Sequence, residues 1–252
     1  MNNVIFRLND GSEIIEMDSA LGDRVRLLKT KDVYQSVTYI DDRKYQLFEE
    51  FTNLYKAIAV NGNVNNTLVL GGGGFSYPKY YISTYPDKKM DVVEINKDII
   101  DASYKYFFVE DLYNEYDSNR TRLNIICDDC INYMINCNQK YDAVFFDVYN
   151  EATVDSKYTT EEFNKIVLNV LNDNGYYYIN YILKESNFDG FKDMMNMLTN
   201  TFDNYSIQSI KPITKDTTTN LFITFTNNKI DYIPSIKYYS YSYEDIIKIF
   251  SE

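Results

Sequence analysis

The 252 residues of this chain carry a formal net charge of −12 and include no histidine. The absence of histidine excludes Ser-His-Asp and Cys-His catalysis and any zinc site with imidazole ligands. The negative charge argues against a nucleic-acid partner, because phosphates are bound by clustered lysine and arginine. No run approaches the roughly 18 apolar residues of a membrane helix, and the first residues lack the pattern of a signal peptide. We therefore expect a cytoplasmic protein that holds no metal ion.

Residues 1–60 are predicted to form a small β-rich N-terminal subdomain. Short apolar runs alternate there with polar turns, of which Asn9-Asp10-Gly11 is the clearest. The segment 49–60 has helical spacing. The predicted strands are residues 3–7, 12–17, 25–28, 35–40 and 44–48.

Residues 61–252 are predicted to form a Rossmann-like α/β domain, because strands and helices alternate from residue 67 onward. We expect Thr159 and Glu162 to form a capping box and Gly175 to end the same helix in a left-handed conformation. The strands of this parallel sheet are predicted at residues 67–70, 90–94, 123–127, 143–146 and 176–181. The helices are predicted at residues 77–84, 97–107, 129–135, 160–171 and 188–198.

The end of the chain breaks this alternation. Residues 206–211 and 221–226 are strand-like and are joined by a polar segment without a helix. We expect them to form an antiparallel pair at one edge of the sheet, followed by a short helix over residues 243–250.

Four glycines follow the first strand of the second domain, and a helix is expected after them. They are Gly71, Gly72, Gly73 and Gly74. Glycines there let the backbone approach a ligand closely and present N–H groups to it, although a glycine run also occurs in plain turns. Glu94 ends the next strand about 20 residues later, where a carboxylate can accept hydrogen bonds from a ribose diol. Together these features predict a nucleoside site.

Acidic residues also end the next two strands. Asp129 follows the third strand, and we expect it to accept a hydrogen bond from an adenine amino group, to cap the next helix, or to do both. Asp147 follows the fourth strand, with Tyr149 and Asn150 close behind it. These three residues are expected to face the reacting centre, with Asp147 holding the amino group of the cofactor. The alternative is a strand-end acid that only stabilises its loop.

Residues 34–182 resemble the spermidine synthase-like (polyamine aminopropyltransferase) branch of the class I S-adenosylmethionine (SAM)-dependent methyltransferase superfamily. The resemblance rests on segments 70–74, 91–96, 129–134 and 141–147, which occur in the family's order. It implies a class I methyltransferase sheet with antiparallel closing strands. It also implies a site for SAM or decarboxylated SAM at the glycine loop, Glu94 and Asp129, with Gln35 nearby. The family's activity is aminopropyl transfer from decarboxylated SAM to putrescine or a similar amine.

The sequence departs from this family at positions that bear on the chemistry. Asn150 stands where the family has a second aspartate that helps deprotonate the amine, and Gly74 stands where an acid orients the aminopropyl group. An acidic motif that the family has after the N-terminal hairpin is also missing. The nearest acidic residues in this sequence are Glu49 and Glu50. Fewer acids make a site less hostile to the carboxylate of SAM. We therefore expect a SAM-dependent, methyltransferase-like enzyme on this scaffold.

Three alternatives remain open at this point. They are a genuine aminopropyltransferase with a displaced base, a non-catalytic nucleoside-binding protein, and an NAD-dependent dehydrogenase. The dehydrogenase is disfavoured by Ser76 at the third glycine position of the dinucleotide motif and by the closing strand pair. The expected partner is a small-molecule acceptor, with amines among the candidates and a homodimer left open. The candidates for acceptor contacts are Asp147, Tyr149 and Glu49 or Glu50.

Overall fold

The computed structural model describes residues 3–48, 50–61, 63–149, 154–231 and 238–251. Glu49 and Asn150 lie outside this range, and the side chain of Glu50 is not described. The chain forms two sheets, one of four strands and one of eight.

The four-stranded sheet is an antiparallel meander. Gly11, with φ +86°, turns the chain between the first two strands, in a conformation that glycine adopts without steric cost. Leu8, just after the first strand, and Ile14 and Leu28 of the sheet are buried and pack against Phe107. The strands are β1 (Asn3–Arg7), β2 (Glu13–Asp18), β3 (Arg24–Thr30) and β4 (Val33–Tyr39).

The predicted strand at residues 44–48 is wrong. Lys44 N–H donates to Asp41 at 3.1 Å and Gln46 N–H donates to Arg43 at 2.7 Å, so this segment is a turn. The Asp41 carboxylate also accepts from the backbone and side chain of Arg43. Such local side-chain bonds give the backbone an alternative to strand pairing.

The predicted helix at residues 49–60 is interrupted. It consists of α1 (Glu50–Asn53), a 3₁₀ turn at Leu54–Lys56 and α2 (Ala57–Val60). Leu54 and Ile58 are fully buried against one face of the large sheet. The domain division at residue 60 stays a prediction.

The large sheet has the strand order β12-β10-β11-β9-β8-β5-β6-β7. The strands β5 to β9 run parallel, while β11, β10 and β12 are each antiparallel to their neighbours. This confirms the predicted Rossmann-like sheet and its antiparallel closing pair, with β12 as an addition. The bounds are β5 (Asn66–Leu70), β6 (Lys89–Glu94), β7 (Leu123–Cys127), β8 (Tyr141–Phe146), β9 (Leu171–Leu183), β10 (Asn204–Ser209), β11 (Thr219–Thr226) and β12 (Tyr239–Tyr241).

Helices cover both faces of this sheet, and a separate apolar cluster fills each interface. None of the helices in the described part of the chain has the length and apolar content that a membrane span requires. The helices are α3 (Ser76–Thr84), α4 (Lys97–Tyr106), α5 (Val109–Tyr116), α6 (Cys130–Asn136), α7 (Glu161–Val170), α8 (Phe188–Thr199) and α9 (Tyr243–Ser251).

Two predicted features of α7 differ from the structure. Its N-cap is Thr160 rather than Thr159, and the Thr160 hydroxyl accepts from the N–H of Phe163 at 3.2 Å. The helix ends at Val170, and Leu171 pairs with β8 and starts β9, so Gly175 lies inside a strand and not in a left-handed cap. The chain thus changes from helix to strand at Leu171, four residues before Gly175.

Candidate active site

A cavity of about 680 Å³ runs along the edge of the large sheet where the parallel strands end. In open parallel sheets, ligands bind outside these carboxyl ends. The predicted site residues that line this cavity are Gln35, Gly71, Gly72, Gly73, Glu94, Asp129, Asp147 and Tyr149.

Gly71 joins the ends of three strands. Its N–H donates to Val93 of β6 at 2.9 Å, and Asp147 N–H, just after β8, donates to Leu70 of β5 at 2.9 Å. Gly71 has φ +95°, and an added Cβ atom would overlap the carbonyl oxygen of Asp147. Only glycine satisfies both constraints, so this residue sets the spacing between the loop and the end of β8.

Glu94 holds the glycine loop in place through its carboxylate. Oε2 accepts from the N–H groups of Gly72 at 2.9 Å and Gly73 at 3.2 Å, and Oε1 accepts from Asn96 N–H at 2.9 Å. The residue is only 8% exposed and lies at the cavity wall. Each carboxylate oxygen can accept more than one hydrogen bond, so capacity for a diol remains.

Gly74 lies behind the loop and does not line the cavity. Its N–H donates to the Ser36 hydroxyl of β4 at 2.7 Å. A Cβ atom at this position would lie 2.8 Å from Ser36 Cβ and 3.0 Å from the Phe107 ring. Gly74 thus replaces the acid that the resemblance leads one to expect. The space that a side chain would need at this position is occupied by Ser36 of the small sheet and by Phe107.

Asp129 caps helix α6. Its Oδ1 accepts from the N–H groups of Ile131 at 2.9 Å and Asn132 at 3.2 Å. Asp128 beside it accepts from the Asn132 amide at 2.8 Å. Both carboxylates line the cavity at the end of β7. The predicted cap is present, and the adenine contact of Asp129 stays a prediction.

A buried polar network lies at the centre of the cavity. The Asn180 side-chain amide donates to Asp147 Oδ1 at 2.8 Å and to the Tyr55 hydroxyl at 3.0 Å, and the backbone carbonyl oxygen of Asn180 accepts from the Tyr149 hydroxyl. Burial raises the pKa of Asp147 to about 6, partly offset by the hydrogen bond from Asn180. The only sequence signal for Asn180 is an amide inside the apolar strand β9, and sequence reasoning missed it.

The cavity continues past this network to the closing strands. Asn220 of β11 donates to Asn180 Oδ1 at 3.3 Å, and Thr219, Ile210 and Lys211 line the cavity beyond it. The sequence analysis treated these strands only as an edge of the sheet. Their contribution becomes visible once β11 pairs with β9.

The turn between β1 and β2 reaches the opposite end. The Asn96 amide donates to Asp10 Oδ2 at 2.9 Å, and the Asn9 amide donates to Asp98 Oδ2 at 2.7 Å. Asp10 also lines the cavity. These contacts join residues more than 80 positions apart, so no local pattern in the sequence indicates them.

Three predicted site residues cannot be placed. Asn150 and Glu49 lie outside the described residues, and of Glu50 only the backbone is described.

The family model of the spermine/spermidine synthase domain matches residues 54–228. The chain belongs to this family. It is 27% identical over 174 residues to the polyamine aminopropyltransferase of Methanocaldococcus jannaschii, a match that covers 62% of this chain and 58% of that protein. The chain thus spans less than two thirds of this relative's length.

Solved structures share the fold. A probable spermidine synthase from Corynebacterium glutamicum superposes with a TM-score of 0.73 at 18% identity, covering 91% of this chain and 81% of that one. Human methyltransferase-like protein 13 in complex with SAH gives a TM-score of 0.53 at 17% identity, covering 79% and 83%. These likenesses confirm the predicted fold class.

Proposed function

We propose that this chain transfers an aminopropyl group from decarboxylated SAM to an amine. The observation that carries the proposal is the half-buried Asp147 carboxylate at the centre of the cavity, held by Asn180 and flanked by Tyr55 and Tyr149. Membership of the spermine/spermidine synthase family and the name of the M. jannaschii relative support it. We also propose that the chain divides into two domains at residue 60.

The cavity fits a nucleoside donor. The Glu94 carboxylate is assigned to the ribose hydroxyls and the Asp129 carboxylate to the adenine amino group. The glycine loop and Gln35 form the neighbouring part of the cavity wall.

Decarboxylated SAM, when bound, supplies an aminopropyl carbon activated by the adjacent sulfonium. The acceptor nitrogen forms a C–N bond as the C–S bond breaks, methylthioadenosine leaves, and one proton is released. Asp147 is assigned as the acceptor of that proton. With a pKa of about 6, its carboxylate is ionised at neutral pH and still basic enough for this role.

Methyl transfer, the activity expected from the sequence, is the second candidate. It is favoured by Gly74, where the acid that would orient an aminopropyl group is absent and an added Cβ atom would force Ser36 or Phe107 to shift. The relatives named as aminopropyltransferases favour the first candidate. We therefore rank aminopropyl transfer above methyl transfer.

The test is product analysis with both donors. The purified chain is incubated with an amine panel and either SAM or decarboxylated SAM, and nucleoside products are separated by chromatography. We expect methylthioadenosine and an aminopropylated amine from decarboxylated SAM only. S-adenosylhomocysteine and a methylated amine would establish the second candidate instead. Donor binding without any product would mean that the chain has lost catalysis.

A further inference from the structure

A chain of side-chain amides leads from Asp147 to the closing strands. The Asn180 amide nitrogen donates to Asp147 Oδ1 at 2.8 Å, and the Asn180 amide oxygen accepts from the Asn220 amide nitrogen at 3.3 Å. The register of the sheet produces this order. Asn180 lies opposite Phe222 of β11, and Asn220 is two residues from Phe222 on the same face. Such diagonal neighbours are close enough for long side chains to meet.

The direction of this chain of hydrogen bonds is fixed at its inner end. An ionised carboxylate only accepts hydrogen bonds, so Asp147 requires the NH₂ group of Asn180 to face it. The same NH₂ group donates to the Tyr55 hydroxyl at 3.0 Å, which uses its second hydrogen. The side-chain oxygen of Asn180 therefore faces β11, and Asn220 directs its own NH₂ group toward that oxygen. This leaves the side-chain oxygen of Asn220 at the outer end of the chain.

The side-chain oxygen of Asn220 is available to a ligand. Asn220 is exposed and lines the same cavity as Asp147. Within the described part of the protein, no N–H or O–H group donates to this oxygen. An amide oxygen has two lone pairs, each able to accept a hydrogen bond from an N–H group. The outer end of the chain therefore offers an acceptor to a ligand that carries a donor.

The position of Asn220 suits the length of a short diamine. Strand β11 is two strand positions from β8, which Asp147 follows, so the two ends of the chain are about 10 Å apart. A diamine with four carbons spans about 6 Å between its nitrogens when it is extended. A hydrogen bond of about 2.9 Å at each end covers the rest. Lys211 follows β10, one strand further out, so Asn220 is nearer to Asp147 than this cation is.

We propose that the side-chain oxygen of Asn220 accepts a hydrogen bond from the second amino group of a diamine acceptor. This rests on the proposed function, since it assumes that the first amino group, which attacks the donor, lies at Asp147. Asn220 is then a specificity-determining residue, because a monoamine of the same length leaves its oxygen without this donor.

The test compares two ligands that differ only in the second amino group. The protein is saturated with methylthioadenosine and titrated by calorimetry with 1,4-diaminobutane and with 1-aminobutane, at about 0.15 M salt to screen exposed charges. We expect the diamine to bind about tenfold more tightly, the scale of one hydrogen bond to a charged group. In Asn220→Leu this preference is lost. Loss of the hydrogen bond to Asn180 affects both ligands alike, so the ratio of affinities isolates the second amino group.

The matched control is Asn114→Leu, at an exposed asparagine of α5 that does not line the cavity, and it keeps the wild-type ratio. Equal affinities of the two amines for the wild type, an unchanged ratio in Asn220→Leu, or binding of neither amine would each overturn the proposal. If the ratio changes as expected but decarboxylated SAM gives no product, the proposed reaction fails while this inference stands. If product forms and the ratio is unchanged in Asn220→Leu, this inference fails while the proposed reaction stands.

Discussion

At the residue scale, the charge of Asp147 depends on its surroundings. Burial raises its pKa from 3.8 to about 6. We predict that kcat/KM rises with pH up to about 6 and then levels off, because only the ionised form accepts a proton. Asp147→Asn should lower kcat by about 10²- to 10⁴-fold, the usual contribution of a general base. The measurement is a pH–rate profile of both proteins.

The same substitution has a predictable effect on stability. A carboxyl group whose pKa is raised by folding destabilises the native state once pH exceeds that of the free group, and the loss is complete above about pH 6. Asp147→Asn should therefore raise the free energy of unfolding at pH 8 by about 1–3 kcal/mol. Asp87→Asn, at an exposed aspartate without an ion pair among the described residues, is the control and should change neither rate nor stability. An active, unstabilised Asp147→Asn variant would contradict both assignments.

Tyr77 gives a second prediction at this scale. Its buried hydroxyl lacks a partner among the described residues, so Tyr77→Phe should stabilise the protein by about 1 kcal/mol. The same change should leave the affinity for decarboxylated SAM unaltered, because the hydroxyl is buried near Tyr80, Tyr81 and Tyr178. Thermal unfolding and calorimetry measure the two effects. An unstabilised Tyr77→Phe variant would contradict the assignment of an unpaired hydroxyl.

At the scale of elements, helix α3 is attached to strand β4 through an unusual side chain. Lys79 is 1% exposed, and its ammonium group donates to the Thr38 hydroxyl at 2.8 Å and lies over the Phe108 ring. Burial, together with the nearby cations Arg26 and Lys44, lowers the pKa of Lys79 from 10.5 to about 7. The stability of the contact between α3 and β4 is therefore expected to vary with pH.

Lys79→Met should reveal this dependence. Unfolding exposes the lysine and restores its ordinary pKa, so the wild type loses stability as pH falls from about 10.5 to about 7, and the loss is complete below that. The variant should be more stable at pH 7 by about 2–4 kcal/mol, with the difference shrinking toward pH 10. Denaturant unfolding across this range measures it, with Lys89→Met, at an exposed lysine without an ion pair among the described residues, as the control. A constant difference between variant and wild type would refute the shifted pKa.

At the scale of the whole molecule, what the sequence predicted well was local. The glycine loop, Glu94, Asp129 and Asp147 each follow a predicted strand, and parallel topology then brings such strand ends to one edge. One error came where a tertiary contact overrides a local signal. Gly175 looked like a helix cap, yet pairing with β8 draws residues from Leu171 onward into β9.

Other parts of the site had no local signal at all. Asn180 sits in an apolar strand, and Lys211 follows a strand whose place in the sheet is set only by its pairing with β11. Asp10 reaches the cavity from a hairpin turn in the other sheet. Such residues are brought together by long-range packing, and a single sequence does not specify which distant segments meet.

The turn between β1 and β2 also bears on how quickly ligands exchange. It is attached to the end of β6 by two exposed hydrogen bonds, from Asn9 to Asp98 and from Asn96 to Asp10. Each contributes about 0.5–1.5 kcal/mol. Leu8, next to the turn, is also buried against Ala102 and Phe107, so detaching the turn exposes apolar surface as well. Any ligand exchange that requires the turn to move is therefore slower than the two hydrogen bonds alone would make it.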